Sequence, residues 1–146
     1  MVTMNDVRAA IDPDEPDYDR AATELGAAAM PFLAELGGSD DAMLASKAIS
    51  LAGAIGGPEA IPLLERAAAA PHAEVRVVTA NAAGELGTDA EDVLAALLSD
   101  GDVGVRKRAV MAAARISSAR LQDQLTAMSE SDSDIAIRRR AKEALG

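Results

Sequence analysis

The sequence predicts an all-α fold, a right-handed α-α superhelix of about four stacked helix pairs behind a leading helix. Three observations lead there. Four segments superpose: LASKAISLAGAIG (Leu44 to Gly56), VRVVTANAAGELG (Val75 to Gly87), VRKRAVMAAARIS (Val105 to Ser117) and the shorter IRRRAKEALG (Ile137 to Gly146), which start 31, 30 and 32 residues apart. Within each, apolar residues fall at offsets 0, 4, 8 and 11, as in Val105, Ala109, Ala113 and Ile116, which is one stripe of a helix with a 3.6-residue period. The apolar share of 49% includes no Trp, one Tyr (Tyr18) and one Phe (Phe32). The interior is therefore made of Ala, Leu, Ile, Val and Met, small side chains that suit closely packed helices.

Taken in order, the elements fill one domain over residues 1–146. A lone helix, roughly 4 to 11 within segment 1–11, starts where Thr3 and Asp6 are spaced as a cap, with Val2 and Val7 placed as a hydrophobic staple. A degenerate repeat over 12–40 contains DYDRAATELG and AAMPFLAEL, whose AMPFL matches AIPLL 31 residues later. Repeats over 41–71, 72–101 and 102–133 and a partial one over 134–146 follow. Three residues before each stripe stand Asp41, His72, Asp102 and Asp134, where aspartate accepts from free N–H groups and is favoured by the helix dipole. The second helix of each pair has stripes of its own, Val93, Leu94, Leu97 and Leu98, then Leu121, Leu125 and Met128. Thr88 to Glu91 has the form of a capping box, and Pro58 after Gly57 that of a first-turn proline. Gly53 and Gly84, matched by Ala114, are positions where a small residue lets the next helix approach. Gly26, Gly56 and Gly87 are expected as left-handed C-terminal caps. The last helix closes at Leu145 and Gly146 without a polar terminal cap, so stacking of that end on a partner, or on a second copy as a homo-oligomer, is expected.

Composition narrows the function classes. The chain has no cysteine, which removes disulfides, thiol chemistry and the commonest zinc ligand class. MVTMNDVRAA has no basic end followed by an apolar core, and no apolar run approaches the ~18 residues that span a bilayer, so a cytoplasmic protein with no membrane partner is expected. The net charge of −10 argues against a general affinity for nucleic acid. That charge is uneven. Residues 1–73 carry four basic and twelve acidic side chains, and residues 74–146 carry ten basic and twelve acidic ones.

The recurring D-x-x-V-R-x-x-A-x-x-A-x-G-x-L-G resembles the short HEAT-like repeat typified by phycobilisome lyase HEAT-like proteins, over about residues 20–146. Val75-Arg76, Val105-Arg106 and Ile137-Arg138 carry the family's pair, whereas Leu44-Ala45 lacks the arginine and the first copy lacks both residues. The resemblance implies an α-solenoid, a scaffolding or adaptor role with occasional enzymes among relatives, and the Val-Arg helices on the concave side.

On those helices, offsets 2, 3, 6 and 10 point away from the core. The row reads Ser46, Lys47, Ser50 and Ala54; Val77, Val78, Asn81 and Glu85; Lys107, Arg108, Met111 and Arg115; Arg139, Arg140 and Glu143. It is apolar in the middle and basic toward the C-terminal end. The partner-binding surface is accordingly expected at Lys47, Ser50, Val77, Val78, Asn81, Glu85, Lys107, Arg108, Met111, Arg115, Arg139 and Arg140. The expected partner is a peptide, helix or acidic segment of another protein, with Val77, Val78 and Met111 as apolar anchors and the cations meeting carboxylates or phosphates. The plainer reading makes the cations ordinary solvated residues and packs Val77 or Val78 partly against its neighbour. Arg76, Arg106 and Arg138 are read as structural, reaching carboxylates such as Asp100, Asp102, Asp132 or Asp134.

No catalytic, cofactor or metal residue is expected. DPDEPDYD (Asp12 to Asp19) lacks the Gly and Glu that an EF-hand loop requires, and His72 is the single histidine. No GxSxG, GxxxxGK[ST] or GxGxxG is present. The expectation is a non-catalytic interaction module. One alternative is nucleic-acid binding through the basic row, against which stand the net charge and the absence of Trp. Another is a lyase-type or other HEAT-like enzyme or enzyme subunit.

Overall fold

The computed structural model describes residues 1–146, and its regular elements are all helical: α1 (Met4–Ile11), α2 (Tyr18–Leu25), α3 (Met30–Gly37), α4 (Ala42–Ile55), α5 (Ala60–Ala67), α6 (Ala73–Leu86), α7 (Glu91–Leu97), α8 (Val103–Ala113), α9 (Ala119–Ser131) and α10 (Ile135–Leu145). Short 3₁₀ turns, Gly26–Ala29 and Gly87–Ala90, lead into α3 and α7. Helices α2, α4, α6, α8 and α10 stack side by side in one row, and α3, α5, α7 and α9 back them in a second. No helix is long and apolar enough to cross a membrane.

The expected stripes face the interior. Val105, Ala109, Ala113 and Ile116 are buried, as are Val93, Leu94, Leu97 and Leu98 from the second row. Thr79 falls on a stripe and is fully buried; its hydroxyl is satisfied by donating to the Val75 carbonyl at 2.8 Å. One continuous core results, from Val7 and Ile11 at one end to Ile137 and Ala141 at the other.

Local chemistry sets the helix ends. Thr3 and Asp6 form a reciprocal capping box at α1. The carboxylates of Asp41, Asp102 and Asp134 each accept two N–H groups at the starts of α4, α8 and α10. His72 holds the corresponding position at α6 but makes no side-chain cap.

Three expectations are corrected. Gly26, Gly56 and Gly87 have positive φ (61°, 70° and 72°), but ψ lies at −162°, −157° and −143°, outside the left-handed helical region. This region is open to glycine essentially alone, and each N–H still closes onto the carbonyl four residues back, that of Ala22, Ala52 or Ala83. Thr88 to Glu91 forms no capping box, because a 3₁₀ turn occupies it and the Glu91 carboxylate accepts from Ser118 instead, at 3.0 Å. Pro58 lies in the turn before α5, which starts at Ala60. Helix α8 stops at Ala113, because Ser117 replaces the terminal glycine and the chain leaves through tighter bonds from Arg115 N–H to Ala112 O and Ile116 N–H to Ala113 O.

Spacing within the first row follows from its smallest residues. A Cβ built on Gly53 would stand 2.7 Å from the Ala82 Cβ, and one on Gly84 would stand 3.0 Å from the Ala112 Cβ. Helices α4 and α6, and α6 and α8, therefore approach almost backbone to backbone. The second row packs less closely, so the stack curves toward the first row, and the outward side of α4, α6 and α8 is the inner surface.

Candidate functional site

The inner surface is assembled from separate repeats. Helix α4 contributes Ser50 and Ala54, α6 contributes Val78, Asn81, Ala82 and Glu85, and the N-terminal segment contributes Pro16 and Asp17 with Tyr18 and Asp19 of α2. Together they line a cleft of about 400 Å³. The segment is held there by Lys47, whose Nζ donates to the Pro13 carbonyl at 2.7 Å and the Asp12 carbonyl at 3.4 Å. The acidic stretch broken by two prolines is thus an ordered wall of the cleft.

Two titratable groups respond to this setting. Burial raises the Glu85 carboxyl above the usual carboxylate range; the Arg115 guanidinium opposes the shift and the Asp19 charge adds to it. Glu85 is exposed as a whole, and its Oε2 lies 3.6 Å from where a Gly53 Cβ would be, so the carboxyl folds back over α4. Arg115 repeats the gesture one helix on, with Nη1 lying 3.8 Å from the Cβ position of Gly84. Burial also raises the Tyr18 hydroxyl, and the neighbouring Ser50 side chain works against that rise. A carboxyl that keeps its proton more readily than usual, beside a cation, a phenol, a serine and an amide, is a constellation that can give and take protons.

The twelve expected surface residues fall into three groups. Ser50, Val78, Asn81 and Glu85 line the cleft, with Val77 beside them on α6; both valines are partly buried against the core. Lys107, Arg108, Met111 and Arg115, then Arg139 and Arg140, continue the row along α8, its terminal turn and α10. Met111 is 39% exposed, and Arg139 lies 4.0 Å from Glu143. Lys47 is committed to the N-terminal segment. Sequence reasoning missed Pro16, Asp17, Tyr18 and Asp19. The signal was the first, degenerate copy: with Gly26 set against Gly56, Pro16 and Asp17 fall opposite Ser46 and Lys47.

The recurring arginines of the repeat have structural partners on the far side of the row. Arg76 forks onto Asp100 (2.8 and 3.2 Å) and Arg106 onto Asp132 (3.0 and 3.2 Å). The second guanidinium arm goes to a carbonyl of the turn before each helix, Ala70 for Arg76, Asp100 for Arg106 and Asp132 for Arg138. Burial alone would raise the Asp100 carboxyl; the Arg76 bond, the Asp102 N–H and the charges of Arg76 and Arg106 outweigh it and hold the group below its ordinary range. Asp132 is lowered likewise, with burial opposed by the Asp134 N–H, the Arg106 bond and the charges of Arg106 and Arg138.

Residues 63–146 match the family model for HEAT repeats. The chain belongs to the HEAT-repeat family. A search of curated proteins gives no match. Among solved structures, the HEAT-repeat chain is similar to one in the CpcE–CpcF complex of phycocyanin lyase from Nostoc sp. PCC7120, at 22% identity and a TM-score of 0.77 over 98% of each chain. It is also similar to human deoxyhypusine hydroxylase in complex with glycerol, at 22% identity and a TM-score of 0.71 over 80% of this chain and 42% of that one. An engineered protein matches at 19% identity and a TM-score of 0.54 over 94% of this chain and 77% of that one.

These likenesses correct the expectation of a non-catalytic chain. The same stack of helices carries a lyase complex and a hydroxylase, so the fold gives no ground for excluding an enzyme. The expectation rested on the absence of linear catalytic motifs. A solenoid builds a site from side chains roughly 30 residues apart, so no linear motif is required, and Asp19 and Glu85 are a pair of carboxylates facing one cleft.

Proposed function

We propose that this HEAT-repeat chain is a lyase-type enzyme subunit that works with a second protein, whose acidic segment lies along the inner surface with its reacting group at the cleft of Tyr18, Ser50, Asn81 and Glu85. The observation that carries this is the convergence of those side chains from three repeats on one cleft, where burial keeps a proton on Glu85 more readily than usual. Bond making or breaking by addition or elimination needs a group that gives or takes a proton in place, and a carboxyl that holds its proton more readily than usual is suited to that. Asn81 and Ser50 supply neutral hydrogen-bonding groups beside it, and the cations of α8 and α10 draw in an acidic segment. The likeness to a chain of a two-protein lyase complex over 98% of both lengths supports the pairing.

The test uses the full chain, tagged in its native host, with retained proteins identified. Reversal of Lys107, Arg108, Arg115 and Arg140 to Glu is expected to abolish capture of the partner while the helical circular dichroism stays unchanged. Glu85→Gln is expected to leave capture intact and to stop chemical modification of the captured partner. Undiminished capture by the reversed variant overturns the docking face, unaltered modification by Glu85→Gln overturns the acid-base role, and retention of duplex DNA in place of protein overturns both.

A further inference from the structure

Between α4 and α6 the stack departs from its own rule. At the following interfaces an arginine on the inner helix sends Nη1–H to a carbonyl of the preceding turn and Nε–H and Nη2–H to an aspartate of the next turn. That aspartate also takes the N–H of the residue two positions on, Asp102 or Asp134. One repeat upstream, Ala45 stands in place of the arginine and Ala70 in place of the aspartate.

The removed side chains leave a cavity of about 260 Å³ with an apolar floor that includes Leu63, Ala67 and Val75 and a polar edge of Ser39, Asp40, Arg66 and His72. Its polar groups are those that the pair satisfies elsewhere. The carbonyls of Ser39 and Asp40 are the counterparts of the Ala70 and Pro71 carbonyls that receive Arg76, and they accept no hydrogen bond; the His72 N–H is the counterpart of the Asp102 N–H, and it donates none. The Arg66 guanidinium and Asp40 carboxylate at the edge have no ion-pair partner within the chain.

We propose that this cavity binds a small guanidinium-bearing zwitterion of the arginine class. The guanidinium takes the seat of the missing arginine, on the Ser39 and Asp40 carbonyls and the Asp40 carboxylate, where a planar fork fits better than a point charge. The carboxylate turns to the His72 N–H and Arg66. An anion alone leaves the carbonyls unmet and a simple cation leaves Arg66 and the N–H unmet, whereas a zwitterion answers both sets. This inference is independent of the cleft on the inner surface.

The experiment is calorimetric titration and thermal shift of the full chain with free L-arginine, agmatine and acetate. L-Arginine is expected to bind and raise the melting temperature, with agmatine, which lacks the carboxylate, and acetate at least tenfold weaker. The double variant Ala45→Arg with Ala70→Asp rebuilds the pair; it is expected to melt higher than the parent and to bind L-arginine at least tenfold more weakly. Absence of heat and shift with L-arginine, or equal affinity of the parent and the rebuilt variant, overturns the proposal. Arg66→Gln provides a second arm if the rebuilt variant fails to fold: affinity for L-arginine falls severalfold with affinity for agmatine unchanged, and an equal loss for both overturns the carboxylate seat.

Discussion

At Gly53 an added methyl would stand 2.7 Å from the Ala82 Cβ and 3.1 Å from its Cα, so α4 and α6 must part to admit it. Relief of glycine's helix cost returns about 1 kcal/mol, against about 1–3 kcal/mol for overpacking. Gly53→Ala is therefore expected to lower the stability read from urea denaturation by up to about 2 kcal/mol. At Gly84 the approach is 3.0 Å to a side-chain methyl and 3.5 Å to backbone, and the two effects nearly cancel. Gly84→Ala is expected within about 0.5 kcal/mol of the parent. A larger loss at Gly84 than at Gly53 would contradict this account of the helix spacing. Glu85 provides a second residue-scale prediction. Its folded pKa is raised, so the folded state favours the protonated form, and that advantage is present below the ordinary glutamate value of about 4.3 and lost as pH rises through the folded value. Glu85→Gln is accordingly expected to raise the melting temperature at pH 7 and to leave it unchanged near pH 3; equal shifts at both values would count against the burial of this carboxyl. The glycine register was readable from the repeat, whereas the posture of Glu85 was not, since it depends on an α4 surface that has no side chain at Gly53.

Among the elements, α6 is the inner helix whose N-cap residue bonds no N–H through its side chain, while α4, α8 and α10 each use an aspartate there. His72→Asp is expected to stabilise the protein by about 0.5–1 kcal/mol in denaturant titration, and Asp102→Ala to cost about 1 kcal/mol. An unchanged midpoint for both would show that packing alone determines these helix starts. The aspartates at Asp41, Asp102 and Asp134 were readable because capping is a local interaction between a side chain and N–H groups two or three residues on. The Thr88 to Glu91 motif misled for the converse reason. Its Glu91 carboxylate is engaged by Ser118 of the next repeat, a contact between segments 27 residues apart that outcompetes the local one.

Across the whole molecule the repeats are bolted by Arg76–Asp100 and Arg106–Asp132, pairs whose side chains are between 7% and 18% exposed. Both aspartates have lowered pKa values, so their stabilisation is complete above the ordinary aspartate value of about 3.9 and is lost as pH falls through the folded values. Apart from the Glu85 contribution, the melting temperature is expected to stay nearly constant from pH 5 to 7 and to fall progressively below about pH 4. The double variant Asp100→Asn with Asp132→Asn should be less stable at pH 7 and show a shallower acid dependence; an acid limb as steep as the parent's would assign the effect to other carboxylates. The sequence by itself determined the all-α solenoid and its register, because a stripe with a 3.6-residue period recurring every 30 to 32 residues can be buried only by stacking one copy on the next. Tertiary structure alone decided which residues meet across copies. It set the N-terminal acidic segment against α4 and α6 through Lys47, assembled a cleft from three repeats, and opened a cavity where Ala45 and Ala70 replace the repeat's ion pair. The physical reason is that a period in one chain specifies the distance between like residues, whereas a site depends on unlike residues from different copies, and their proximity is set by the close approach and curvature of the stack.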